Sequence, residues 1–109
     1  MSTSTERIRA LNDRLRTTGH GGEIVVTRGV AALGPDIVVL VFAAVQTFTA
    51  FTSDNDPYGE HDFASLDVTD QRVMFKIDYY DRTLSGHSPD SSDPNVTRRV
   101  LTIMLAEEY

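Results

Sequence analysis

Cysteine and tryptophan are absent from this 109-residue chain, and basic residues are few. Without cysteine there is no disulfide framework, no zinc–thiolate site and no cysteine nucleophile. The longest apolar run, Ile37 to Val45, is roughly half of what a bilayer span needs. The opening MSTSTERIRALNDRL carries no apolar signal core, so a soluble, cytoplasmic protein with no membrane contact is expected. Ten lysines and arginines stand against sixteen aspartates and glutamates, a formal charge of −6. That balance is the reverse of what direct nucleic-acid binding requires, because a phosphate backbone recruits a basic face. Ser-His-Asp order, HExxH, CxxC and GxSxG are missing as well, which leaves nucleophilic catalysis without sequence support.

What is present is the composition of a folded domain, 40% hydrophobic and 24% charged. The length fits one domain, residues 1–109, able to hide roughly 65% of the surface of its unfolded chain. Charge is unevenly placed. Between Asp54 and Asp93 lie ten acids and three bases, a net of −7, while the rest of the chain is nearly balanced.

The periodicities predict an α+β domain of two layers, in the order α-β-α-β-β-α, with a small, mostly antiparallel sheet packed by helices. A first helix is capped at Thr3 or Ser4 with Glu6 completing a capping box, and Gly19 stops it. Ile8, Leu11 and Leu15 form its narrow apolar stripe, and Arg7, Arg9, Arg14 and Arg16 occupy much of the remainder. Glu23 to Arg28 reads as a strand. Gly34-Pro35-Asp36 opens a helix so apolar through Phe48 that it belongs at the centre of the domain or in an interface. Phe63, Leu66 and Val68 indicate a strand with an irregularity near Ser65, followed by a turn at Thr69-Asp70-Gln71. Arg72 to Tyr80 alternates, with Val73, Phe75, Ile77 and Tyr79 on one face and Met74, Lys76, Asp78 and Tyr80 on the other. Asp93-Pro94 reads as the start of a last helix with a core face of Val96, Val100, Ile103 and Met104, and Arg98-Arg99 as its solvated side.

Chemistry concentrates in Asp54-Asn55-Asp56-Pro57-Tyr58-Gly59-Glu60-His61-Asp62, where four carboxylates repel one another unless solvated, paired or neutralised. As a metal site its candidates are Asp54, Asp56, Glu60 and Asp62. An EF-hand is not expected, because the twelfth position is Ser65 where a bidentate glutamate belongs. As an acid/base site the candidate catalytic residue is His61. In an extended segment its neighbours Glu60 and Asp62 point away from it, so its partner must come from elsewhere, Asp78, Tyr80 or His20 being the candidates. The plainer alternative is a set of turn formers leading into a strand. Thr17-Thr18-Gly19-His20-Gly21-Gly22 lacks the lysine and spacing of a phosphate loop and reads as a helix stop with a tight connection.

The blocks TGHGG, DNDPYGEHDF, KIDYYD and VLTIMLAEEY, in this order, resemble a bacterial family of short stand-alone proteins catalogued only as a domain of unknown function. The resemblance covers nearly the whole chain. It implies a gene often carried on plasmids and phage-like elements, and hence an accessory or anti-defence role, but no catalytic residue. On this footing the expected function is protein–protein contact through the acidic 54–93 segment, as an anti-CRISPR or anti-restriction type of inhibitor. The expected binding residues are Asp54, Asp56, Tyr58, Glu60, His61, Asp62, Asp78 and Tyr80. The expected partner is a protein, such as a nucleic-acid-handling complex, and the apolar second helix or an open sheet edge allows a homodimer. No cofactor is expected. The alternative is a small enzyme or divalent-cation-binding protein built on the same loop.

Overall fold

The computed structural model describes residues 3–109. Helix α1 (Ser4–Thr18) begins with the capping box read from the sequence: Thr3 accepts from the Glu6 amide and Glu6 reaches back to Thr3. It ends at Gly19, whose left-handed φ of 78° turns its amide onto the Leu15 carbonyl. Strand β1 (Glu23–Val26) leads into α2 (Arg28–Ala31), a single turn capped by Thr27 that hydrophobic periodicity does not reveal. Helix α3 (Pro35–Thr47) starts at Pro35, where the missing amide leaves no bond unmade. Strands β2 (Phe63–Val68), β3 (Gln71–Tyr80) and β4 (Arg98–Leu105) follow, and a short 3-10 turn spans Ala106–Glu108.

The sheet has the order β1-β4-β3-β2, with β1 parallel to β4 and the other two pairings antiparallel. Leu15, Val30, Val41 and Val45 from the helices cluster with Ala64, Val73, Phe75, Ile77, Leu101 and Ile103 from one face of the sheet. Helices cover that face, and Val25 and Tyr80 on the other are exposed. The α+β class and the mostly antiparallel sheet are those read from the sequence, and of the alternate face predicted for β3, Val73, Phe75 and Ile77 are buried and Tyr79 partly so.

Three elements differ from expectation. The segment after Pro94 is not a helix but strand β4, inserted between β1 and β3. Asp93 serves a turn instead of a helix start, its carboxylate accepting from the Asn95 amide at 2.9 Å. Strand β2 is regular: its register with β3 runs unbroken from Phe63↔Lys76 to Val68↔Gln71, so there is no irregularity at Ser65. Phe63 lies on the opposite face from Ala64 and Val68, its ring 5.6 Å from that of Tyr109. Helix α3 is peripheral, not central. It buries Val41 and Val45 but leaves Val39 at 67% exposure and Leu40 exposed beside it.

Gly22 marks where the connection after α1 crosses β4. A Cβ there would stand 2.5 Å from the Arg99 carbonyl oxygen and 2.9 Å from Leu15 Cδ2. At Gly19, by contrast, a Cβ meets open space and the only penalty is the positive φ. Gly22→Ala is therefore expected to cost about 2 kcal/mol by overpacking, more than the ~1 kcal/mol of Gly19→Ala. Urea unfolding of the two variants checks the order, and equal costs would refute the close approach.

Candidate functional site

Two arginines and an asparagine that the amphipathic pattern assigns to solvent, or leaves unassigned, lie in the interior. Asn12 and Arg16 are on the buried face of α1, and Arg99 on the buried face of β4 is 2% exposed. Both arginines correct the sequence reading, which placed them on solvated helix faces. Asn12 Oδ1 accepts from Arg99 Nε at 2.8 Å, while its Nδ2 donates to the Glu60 carbonyl at 3.0 Å and the Tyr79 hydroxyl at 2.8 Å. The Tyr79 hydroxyl donates in turn to the Glu60 carboxylate at 2.8 Å. Burial, followed by the proximity of Glu60, pushes that phenol far above its ordinary pKa, so it stays a neutral donor. The Arg99 guanidinium lies 5.1 Å over the Tyr79 ring and also donates to the Ser91 carbonyl.

Arg16 does the same work at the other end of the loop. Its Nη1 donates to the carbonyls of Val45 at 3.0 Å and Phe48 at 2.8 Å, where the C-terminus of α3 leaves acceptors unpaired. It stands over the rings of Phe51 and Phe75 and pairs with Asp13 at 3.2 Å. Apart from the Arg16–Asp13 pair within α1, these bonds join groups on different elements, so the 48–62 loop is fixed by α1 and β3.

The acidic loop turns several of its charged groups inward. His61, with φ 55°, stacks on Phe51 at 3.9 Å and 4° between ring planes. Its Nδ1 is 2.8 Å from Asp13 Oδ1, its Nε2 is 3.7 Å from Asp56 Oδ2, and its amide donates to Asp56. As expected, Glu60 and Asp62 do not orient the ring. The carboxylates that do are Asp13 and Asp56, not the groups proposed from sequence, Asp78, Tyr80 or His20. Asp13 is the residue that sequence reasoning missed. Its signal was a polar stripe, Arg9, Asn12, Asp13 and Arg16, at the helical spacing of a buried face. Arg9 extends the stripe by donating to the Gly59 carbonyl at 3.0 Å.

Of the eight predicted binding residues, Asp62, Asp78 and Tyr80 come together with His87 around a recess of about 380 Å³ that Ile77, Tyr79 and Gly86 also line. Asp56, Glu60 and His61 are turned into the hydrogen-bond network, and Asp54 and Tyr58 are exposed on the loop without lining the recess. Asp78 pairs with Lys76 along the strand at 3.2 Å, an ion pair within β3 and not across strands. Asp62 has no ion pair among the described residues. Burial holds its carboxyl above the usual range, opposed by its own amide and reinforced by Glu60, Asp56 and Asp78.

Several other acids of the segment are occupied locally. Asp67 pairs with Arg72 at 3.1 Å. Asp81 and Asp90 hold turns, and the amides and hydroxyls of Ser85, Thr83 and Ser92 keep both carboxyls below the usual range. The acids whose charges act on Asp62 are Glu60, Asp56 and Asp78. Among the described residues no three imidazole or carboxylate groups converge as a metal-holding set, so Asp54, Asp56, Glu60 and Asp62 do not meet as ligands. No helix of the described residues is long and apolar enough to cross a membrane.

The fold and its recess define a small α+β domain with one sheet face covered by helices. Residues 26–108 match the family described as Protein of unknown function (DUF3768), and the chain belongs to it. No curated protein and no solved structure matches the chain.

Because folding raises the Asp62 carboxyl above its ordinary 3.8, ionisation works against the native state. The unfolded chain releases this proton first, so stability falls as pH climbs from 3.8 through the raised value and stays lower above it. Asp62→Asn should therefore raise the melting temperature at pH ~7, and the difference should vanish below pH ~3, where both states hold the proton. A variant less stable than the parent at neutral pH would contradict this electrostatic account.

Proposed function

We propose that this domain binds a protein partner, presenting the recess of Asp62, Asp78 and Tyr80 to a basic surface. The observation that carries the reading is Asp62, a half-buried carboxylate among other carboxylates with no cation of its own. Such a group lowers stability in the free protein, and a lysine or arginine entering the recess relieves it. Exposed Tyr80, and Tyr58 on the neighbouring loop, supply amphipathic contact area. His61, with its two ring nitrogens turned to Asp13 and Asp56, holds the loop in place in this reading.

The net charge of −6 favours basic grooves as targets, and complementary charge speeds encounter with them. Nucleic-acid-handling complexes own such grooves. The resemblance to proteins carried on mobile elements adds a host restriction or CRISPR complex as the candidate within that class, and with it a cytoplasmic setting.

Capture from host extract with the immobilised full chain tests the reading. A partner should be retained at low salt, released at high salt, and lost with Asp62→Asn/Asp78→Asn, a weakening of about tenfold or more. Asp67→Asn/Asp70→Asn, at the β2–β3 end, should retain it. Capture indifferent to the recess substitutions would rule the recess out as the contact.

A further inference from the structure

Helix α3 carries no charge after Asp36, and the next charged residue in the chain is Asp54. It is apolar on most sides, yet the fold covers only one of them. Val41 and Val45 are buried, with Ile37, Val38, Phe42 and Ala44 half-buried beside them. At about 100° per residue the other side chains form one continuous outer arc: Asp36, Val39, Leu40, Ala43, Gln46 and Thr47. Within it Val39 is 67% exposed and Leu40 48%. We propose that this outer face pairs antiparallel with the same face of a second copy of the chain, about a two-fold axis level with Val41.

The order of residues along the arc is the first reason. A two-fold contact needs a patch that fits itself when turned by half a revolution. Asp36 and Gln46 stand equally far from Val41 along the helix, and so do Val39 and Ala43. The turn therefore lays Val39 over Ala43 of the second copy, a large side chain over a small one, with Leu40 of each copy beside the axis. At both ends it brings the Asp36 carboxylate, an acceptor, to the Gln46 side-chain amide of the second copy, a donor. Asp36 has no ion pair among the described residues. Arg16 already closes the carbonyls at the end of α3, so the arriving carboxylate meets a capped terminus. The patch thus has an apolar centre and polar ends, as protein interfaces do.

Charge is the second reason, and it selects the occupant. Two molecules of net charge −6 repel, so they meet best where neither carries charge. The outer face of α3 beyond Asp36 meets that condition. The open face of the sheet does not, because self-contact there sets the acids of the recess against their own copies. A lipid surface recruits an interfacial helix through its lysines and arginines, and α3 has none. Its 13 residues make a face about 20 Å long, at the low end of specific interfaces, so the dimer is reversible and concentration-dependent. Asp78 and Tyr80 lie on the sheet face that the helices leave open, so pairing through α3 keeps both recesses accessible.

Sedimentation velocity of the full chain from about 1 μM to about 1 mM reads the association. The mass should rise from 12.1 kDa towards twice that value, and at lower concentration in high salt, which screens the shared charge. Val39→Glu and Ala43→Lys, both at exposed positions, should keep the parent's far-UV spectrum and each weaken association at least about tenfold. Mixed in equal amounts the two variants should associate again, because the pairing sets their introduced charges, opposite in sign, against each other. A chain that stays monomeric throughout overturns the proposal and leaves this face to a different protein. Association undiminished in Val39→Glu, or a mixture that stays monomeric, overturns the antiparallel pairing through α3.

Discussion

Asn12 is fully buried, and burial deprives its amide of water, so every hydrogen bond it makes has to be made by the protein. It makes three, and they run to different parts of the chain: the Arg99 guanidinium on β4, the Tyr79 hydroxyl on β3 and the Glu60 carbonyl in the long loop. Each partner is itself buried or half-buried, so none can be withdrawn without stranding another. Helix α1 is thereby registered against the sheet by polar geometry as well as by Leu15. Arg16 repeats the arrangement one turn later, closing the carbonyls at the end of α3.

This network determines what the acidic loop can offer to the outside. Asp56, Glu60 and His61 are drawn inward by Arg9, Asn12, Asp13 and Tyr79, which fixes the loop and leaves Asp62 at its exit beside Asp78. A long loop rich in carboxylates is ordinarily a solvated, mobile segment. Here two inward anchors hold it, and the exposed remainder, Asp54 and Tyr58, rides on a fixed base. Tyr79 joins the two ends of the network, its hydroxyl on the Glu60 carboxylate and its ring beneath the Arg99 guanidinium.

Much of the architecture was legible because it obeys simple periods. The capping box at Thr3 and Glu6, the Gly19 stop, the Pro35 start and the alternation of β3 each depend on a few neighbouring residues, and each appears where the sequence puts it. Strand β4 was not legible, because its alternation of Arg99, Leu101, Ile103 and Leu105 opens on a charged residue. With Arg99 read as solvent-facing, Val96, Val100, Ile103 and Met104 fit a helix equally well, and Asp93-Pro94 imitates a helix start. The site failed to declare itself for the same reason. Arg16, Arg99 and Asn12 are buried only because partners distant in sequence receive them, and a pattern that sorts residues by polarity puts them outside. Asp62, Asp78 and Tyr80 line one recess, and strand parity alone places Asp78 and Tyr80 on one face. Asp13, the partner of His61, was not.

A double-mutant cycle between Asn12→Ala and Arg99→Met, read by urea unfolding, tests the polar anchor at its centre. Removing either partner strands the other, so the two single losses should overlap, with a coupling energy of about 1–3 kcal/mol. Strictly additive losses would mean that the two side chains do not act as one unit, and that α1 and β4 are held together by apolar packing alone.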